Sequence, residues 1–183
     1  ASVAWPGSVR FEDGFPVALE LKSDAASLAA AAEAAEWATI RNLQLPRGRL
    51  PEGPLLALLG RSAAVANLRR LGRMTLAFAE TLAAAGVRLG VTSLAFQHAH
   101  QPRPPRLNLE AFPRLRFVAL PWLCSARLAA LRGRGLETVA IDTSIGYGLG
   151  GLPAIWRELC AHRRAPANVV HIGALDRELM PSG

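Results

Sequence analysis

The segment Gly146-Tyr-Gly148-Leu-Gly-Gly151 reads G-x-G-x-x-G, the spacing at which glycines let a pyrophosphate reach a helix N-terminus. It follows a stretch of strand character ending at Ile141 and precedes a helix expected from Pro153, and a later strand is followed by Asp176. Three features oppose nucleotide chemistry. Asp142-Thr-Ser-Ile145 separates strand from glycines, whereas the dinucleotide fingerprint turns at once. Pro153 removes an amide donor where a phosphate would sit, and the long helices of a dinucleotide-binding domain have no counterpart. A glycine-rich connection is the plainer reading, with a nucleotide-binding enzyme as the lesser alternative.

The remaining chemistry-bearing residues are weaker still. His98-Ala-His100 and Cys160-Ala-His162 are short pairs, and zinc needs about four converging ligands. Residues two apart on a helix do not share a face, which counts against Cys160 with His162. Ser144-Ile-Gly-Tyr147 is not the G-x-S-x-G elbow of a nucleophilic serine. Glu33 with Glu36 and Glu12 with Asp13 read as solvated carboxylates rather than acid–base pairs. Cys124 and Cys160 read as small apolar side chains. No catalytic residue, metal or cofactor is therefore assigned, and an enzyme is not expected.

Elements that could position such residues follow from periodicity. Seven segments share an apolar-x-x-apolar-x-apolar pattern, with central anchors Leu19, Leu43, Leu71, Leu94, Val118, Val139 and Ile172. Successive anchors are 24, 28, 23, 24, 21 and 33 residues apart, and all but the last fall in the range of about 20–29 residues of leucine-rich repeats. Alternation within each segment predicts a strand with one buried face. Between them, Ala25–Trp37, Leu55–Ala66, Leu76–Ala85, Leu123–Leu131 and Pro153–His162 carry helical spacing. Asp24 suits a cap, Gly86 and Gly133 suit helix ends, and Pro153 suits a first turn. Arg73 falls on a buried position with Met74 next, so the register can slip at Gly72. The prolines of 97–111 forbid a normal helix there.

Composition narrows the class. Of 183 residues, 51 % are hydrophobic and 19 % charged, a balance that excludes a disordered chain. No apolar run reaches the length of a membrane span. Two cysteines cannot build a disulfide framework, which points to a reducing, cytoplasmic setting. The first residues carry no basic–apolar–small signal. Net charge is +7, yet Lys22 is the only lysine among 21 basic residues. Arginine over lysine, beside much alanine, leucine, glycine and proline, fits the codon bias of a GC-rich bacterial genome. The arginine excess nevertheless keeps nucleic acid as an alternative partner.

The lead-in Val9-Arg-Phe11-Glu-Asp-Gly14-Phe15 with Leu19 and Leu21, and the later Pro-Arg-Leu115-Arg-Phe-Val118 and Gly-Leu136-Glu-Thr-Val139, resemble the leucine-rich-repeat-like proteins of myxobacteria and planctomycetes. The resemblance runs from about Val9 to Leu175. It implies an α/β leucine-rich-repeat-like solenoid, with short parallel strands on one face and helices on the other. It also implies protein–protein recognition and no shared catalytic residues. Two departures stand out. Gln97, Trp122 and Thr143 occupy the positions of the usual asparagine ladder, and that family's companion domain has no counterpart.

The expected organisation is a lead-in or cap at 1–15 and one array of about seven strand–helix units at 16–183. One strand row is Ala18, Asn42, Arg70, Ser93, Phe117, Thr138 and His171. The next, Glu20, Gln44, Gly72, Ala95, Ala119, Ala140 and Gly173, is small from Gly72 onward and would let a partner backbone approach. A third is Lys22, Pro46, Met74, Gln97, Pro121, Asp142 and Leu175. Aromatic residues and arginine dominate binding hot spots, so Arg70, Ser93, Phe117, Trp122, Thr138 and His171 are the expected protein-binding residues. The competing reading has Phe117 merely covering the sheet or turning inward. Arg41, Arg69 and Arg116 recur at the second pattern position; a basic rim would follow, with chance recurrence the simpler account. Solenoid ends need covering, so further chain, a larger complex or a partner is expected over at least one end. The function expected is that of a non-catalytic adaptor or recognition subunit of a bacterial assembly.

Overall fold

The computed structural model describes residues 7–22, 35–48, 50–60, 65–97, 107–121, 131, 134–142 and 169–173. It is an α/β chain built on a mostly parallel sheet. Strands β1 (Gly7–Glu12) and β2 (Phe15–Leu21) form an antiparallel hairpin. Asp13 and Gly14 join them with φ of 51° and 81°, the paired positive values that match a two-residue turn to strand twist. Asp13 thus serves the turn. Then come β3 (Asn42–Gln44), β4 (Arg70–Met74), β5 (Ser93–Phe96), β6 (Phe117–Leu120), β7 (Thr138–Asp142) and β8 (Val169–Gly173). Sheet order follows chain order, and every pairing from β2 to β8 is parallel.

The anchors expected from the sequence pair in one line, Leu19 with Leu43, then Leu71, Leu94, Val118 and Val139. The seventh differs: Val139 pairs with Val170, and Ile172 lies opposite Ile141. The final interval is therefore 31 residues (170 − 139) rather than 33. A shift of two leaves the same side chains on the same face, so alternation alone could not separate the two registers.

The slip at Gly72 is present. Leu71 pairs with Leu94, but Met74 rather than Arg73 pairs with Phe96. The extra residue carries Arg73 out of the core line at φ 58° and delivers Met74 into the core with no exposed surface. Met74 accordingly leaves the exposed row in which the pattern placed it.

Two α-helices lie among the described residues, α1 (Glu52–Gly60) and α2 (Leu76–Ala84), with a 3-10 helix at Ala35–Thr39. The 3-10 helix falls at the end of the expected Ala25–Trp37 helix, whose residues 25–34 lie outside the described residues. So do 61–64, 123–130 and 153–162, and residues 98–106 of the proline-rich loop; its described part, 107–111, is not helical. Helix α2 has defined ends. Thr75 Oγ1 accepts the Phe78 amide at 3.1 Å, capping the first turn. Gly86, at φ 70°, donates to the Ala83 carbonyl, and Val87 donates to that of Leu82, each at 3.0 Å. That paired geometry needs a left-handed residue, which is why the chain has glycine there. Leu55, Leu58 and Leu59 of α1 and Phe78, Ala79 and Leu82 of α2 share one buried cluster with the strand anchors. Both helices therefore back the same face of the sheet.

Thr75→Ala should cost about 1 kcal/mol through the lost cap, and Gly86→Ala about 1–2 kcal/mol through left-handed strain. Urea unfolding of both variants reads these losses directly, and an unchanged midpoint for either would contradict its assigned role.

Candidate functional site

The site residues are set by how the parallel strands begin. Arg41, Arg69, Thr92 and Arg116 each offer a carbonyl that accepts two successive amides of the next strand. Arg69 and Arg70 donate to Arg41 at 2.8 and 2.9 Å, and Thr92 and Ser93 donate to Arg69 at 2.9 and 3.0 Å. Arg116 and Phe117 donate to Thr92 at 2.9 Å each, and Glu137 and Thr138 donate to Arg116 at 2.8 and 3.1 Å. This ladder aligns two rows. One is Arg41, Arg69, Thr92, Arg116 and Glu137 at the strand starts. The other is the first residue of each strand from β3 to β7, continued on β2 by Ala18.

That second row runs Ala18, Asn42, Arg70, Ser93, Phe117, Thr138 in paired register. It holds four of the six residues expected to bind protein. Arg70, Phe117 and Thr138 are half-buried, and Phe117 is not part of the buried cluster behind the sheet. Ser93 lies between Arg70 and Phe117, is only 4 % exposed, and its Oγ has no hydrogen-bond partner among the described residues. A buried hydroxyl without a partner costs about 1–3 kcal/mol.

Two expected members do not join them. His171 pairs with Ala140, one row further in, and Val169 takes the place beside Thr138; the two-residue shift of β8 is the reason. Trp122 lies outside the described residues, as do His98, His100, Cys124, Cys160, His162 and 146–151. The small row is not open to a partner backbone throughout: Ala119 and Ala140 are 3 % and 1 % exposed. Both are absent from the core cluster, so they face the other way and are shielded there.

Side-chain contacts tie distant strands together. Arg73 Nη1 reaches Glu20 Oε1 at 2.5 Å, across the row in which Gly72 abuts the Gln44 side chain. Gln97, at the position where the resemblance led to an expected asparagine ladder, bridges to Gly48, donating to its carbonyl at 3.3 Å and accepting its amide at 3.4 Å.

The strand-start row also forms a basic cleft. Arg69, Thr92, Arg114 and Arg116 line an open depression of about 580 Å³. Arg116 Nη1 donates to Glu137 Oε1 at 3.0 Å, with both side chains more than half exposed, a pairing worth little in stability. Thr92 Oγ1 donates to the Arg69 carbonyl at 3.3 Å. Arg69 and Arg114 make no ion pair among the described residues. The recurrence of Arg69 and Arg116 was visible in the sequence, with Thr92 at the same pattern position, whereas Arg114 lies outside the pattern. Among the described residues no three His, Cys, Asp or Glu side chains gather as metal ligands, and no helix is long and apolar enough to cross a membrane. No protein family, curated protein or solved structure matches the chain.

Ser93→Ala deletes the unpartnered hydroxyl and should leave the isolated protein as stable or up to about 1 kcal/mol more stable. Thermal unfolding tests this; a loss above about 1 kcal/mol would mean the hydroxyl has a structural partner.

Proposed function

We propose that this chain is a leucine-rich-repeat-like solenoid that acts as a non-catalytic, cytoplasmic adaptor or recognition subunit, binding a partner protein through its sheet face. The observation that carries the reading is the in-register row on which Arg70, Phe117 and Thr138 stand part-exposed beside one another, with the small Ser93 between Arg70 and Phe117. Phe117 supplies the aromatic anchor and Arg70 the charged one, the residue types that dominate protein interfaces. The in-order parallel strands, with anchors repeating from Leu19 to Val139, support the solenoid. Strand β1 pairs along the outer edge of β2, which supplies the covering that one end of such an array needs.

The arginines of the strand-start row favour nucleic acid as the second reading, and the two separate by experiment. Tagged protein is used to capture partners from its native lysate with and without nuclease, as wild type and as Phe117→Ala. The expected result is a protein partner that survives nuclease and is recovered at least about tenfold less with Phe117→Ala, the scale of a hot-spot loss. A partner lost on nuclease treatment, or captured equally by the variant, would contradict sheet-face recognition.

A further inference from the structure

We infer that the cleft formed by Arg69, Thr92, Arg114 and Arg116 is a carboxylate-binding site that receives the acidic side chains of a peptide segment. The inference rests on the proposed function for its class of partner, a protein; the anion chemistry rests on the cleft alone.

The cleft has the composition of an oxyanion site. Three arginines line it beside Thr92, and a guanidinium presents its donors in a planar fork suited to carboxylate oxygens, while the Thr92 hydroxyl is already donated to the Arg69 carbonyl. Glu137 neutralises only Arg116, which leaves two arginines without an ionic partner among the described residues. Like charges facing one depression repel one another, and a bound anion relieves that repulsion. The row already accommodates a carboxylate, because Arg116 donates to Glu137 in the same line of strand starts. Three of the four positions are also fixed: the carbonyls of Arg69, Thr92 and Arg116 belong to the ladder, so the backbone there is ordered before any ligand arrives.

The extent of the cleft argues for a short acidic peptide over nucleic acid. Arg69 and Arg116 stand two strands apart, about 10 Å at ordinary strand spacing, a span for two acidic side chains. The row has a neutral Thr92 between them and ends on the acidic Glu137. A nucleic-acid backbone instead draws on a longer, uninterrupted line of cations.

The test is fluorescence anisotropy of labelled hexaglutamate with the whole chain at low and physiological salt. The variants are Arg69→Ala, Arg114→Ala, Arg114→Lys and Arg41→Ala, with Phe117→Ala alongside. The account expects saturable binding, weakened about tenfold by either alanine variant in the cleft and less by Arg114→Lys, which keeps the charge without the fork. Arg41→Ala removes the same charge from the same row outside the cleft and should change affinity by less than about twofold. Phe117→Ala should leave hexaglutamate binding intact, so a failed sheet face and a failed cleft give different results. Absence of saturation, or equal weakening by Arg41→Ala, would overturn the site. Tighter binding of single-stranded oligothymidylate than of hexaglutamate would overturn the choice of ligand.

Discussion

The shared carbonyl at each strand start is the interaction on which the rest of this structure depends. One backbone oxygen of Arg41, Arg69, Thr92 or Arg116 receives both amides that open the next strand. Backbone donors must be satisfied wherever the chain is buried, and this arrangement meets that demand at the same point in each unit from β4 to β7. It also frees the intervening chain to vary. The anchor-to-anchor intervals from β3 to β7 run from 21 to 28 residues, yet these strands stay aligned because the ladder, rather than loop length, sets where each one begins. Face and rim follow together. Ser93 and Phe117 are neighbours on the sheet for the same reason that Thr92 and Arg116 are neighbours beside it.

The irregularity in β4 shows which forces prevail when the pattern conflicts with chemistry. Strict alternation would send Arg73 into the core, where an unpaired charge is far more costly than local strain. The chain accepts a left-handed residue at Arg73, a cost of about 1–2 kcal/mol. In return Met74 is fully buried, worth roughly 1.5–3 kcal/mol, and the guanidinium meets Glu20. At Gly72 the amide end of the Gln44 side chain occupies the space that a side chain would otherwise take. The device leaves a cation lying over the sheet face near its N-terminal edge.

Much of this organisation was legible in the residues, and the gaps have physical causes. Anchors from Leu19 to Val139 were readable because a buried leucine or valine recurs at each strand, and the slip in β4 because an arginine fell where a leucine belonged. The register of β8 was not readable, since Val170 and Ile172 satisfy the same alternation and only cross-strand pairing distinguishes them. The hairpin of β1 carried a signal that periodicity over longer spans obscures: Asp13-Gly14 between alternating apolar residues favours a two-residue turn. In the candidate site, Arg70, Ser93, Phe117 and Thr138 were placed correctly by repeat position. The burial of Ser93 was not foreseeable, because it depends on the side chains of adjacent strands. Arg114 likewise enters the cleft from outside the repeat pattern, so only the fold brings it to Arg69 and Arg116.

Residue-resolved amide hydrogen exchange tests the ladder most directly. The account predicts that both amides of each pair, Arg69 with Arg70, Thr92 with Ser93, Arg116 with Phe117 and Glu137 with Thr138, exchange as slowly as the central amides of β4 to β7. Loop-like exchange at the first amide of each pair, beside protected strand interiors, would contradict the shared carbonyls and with them the alignment of face and rim.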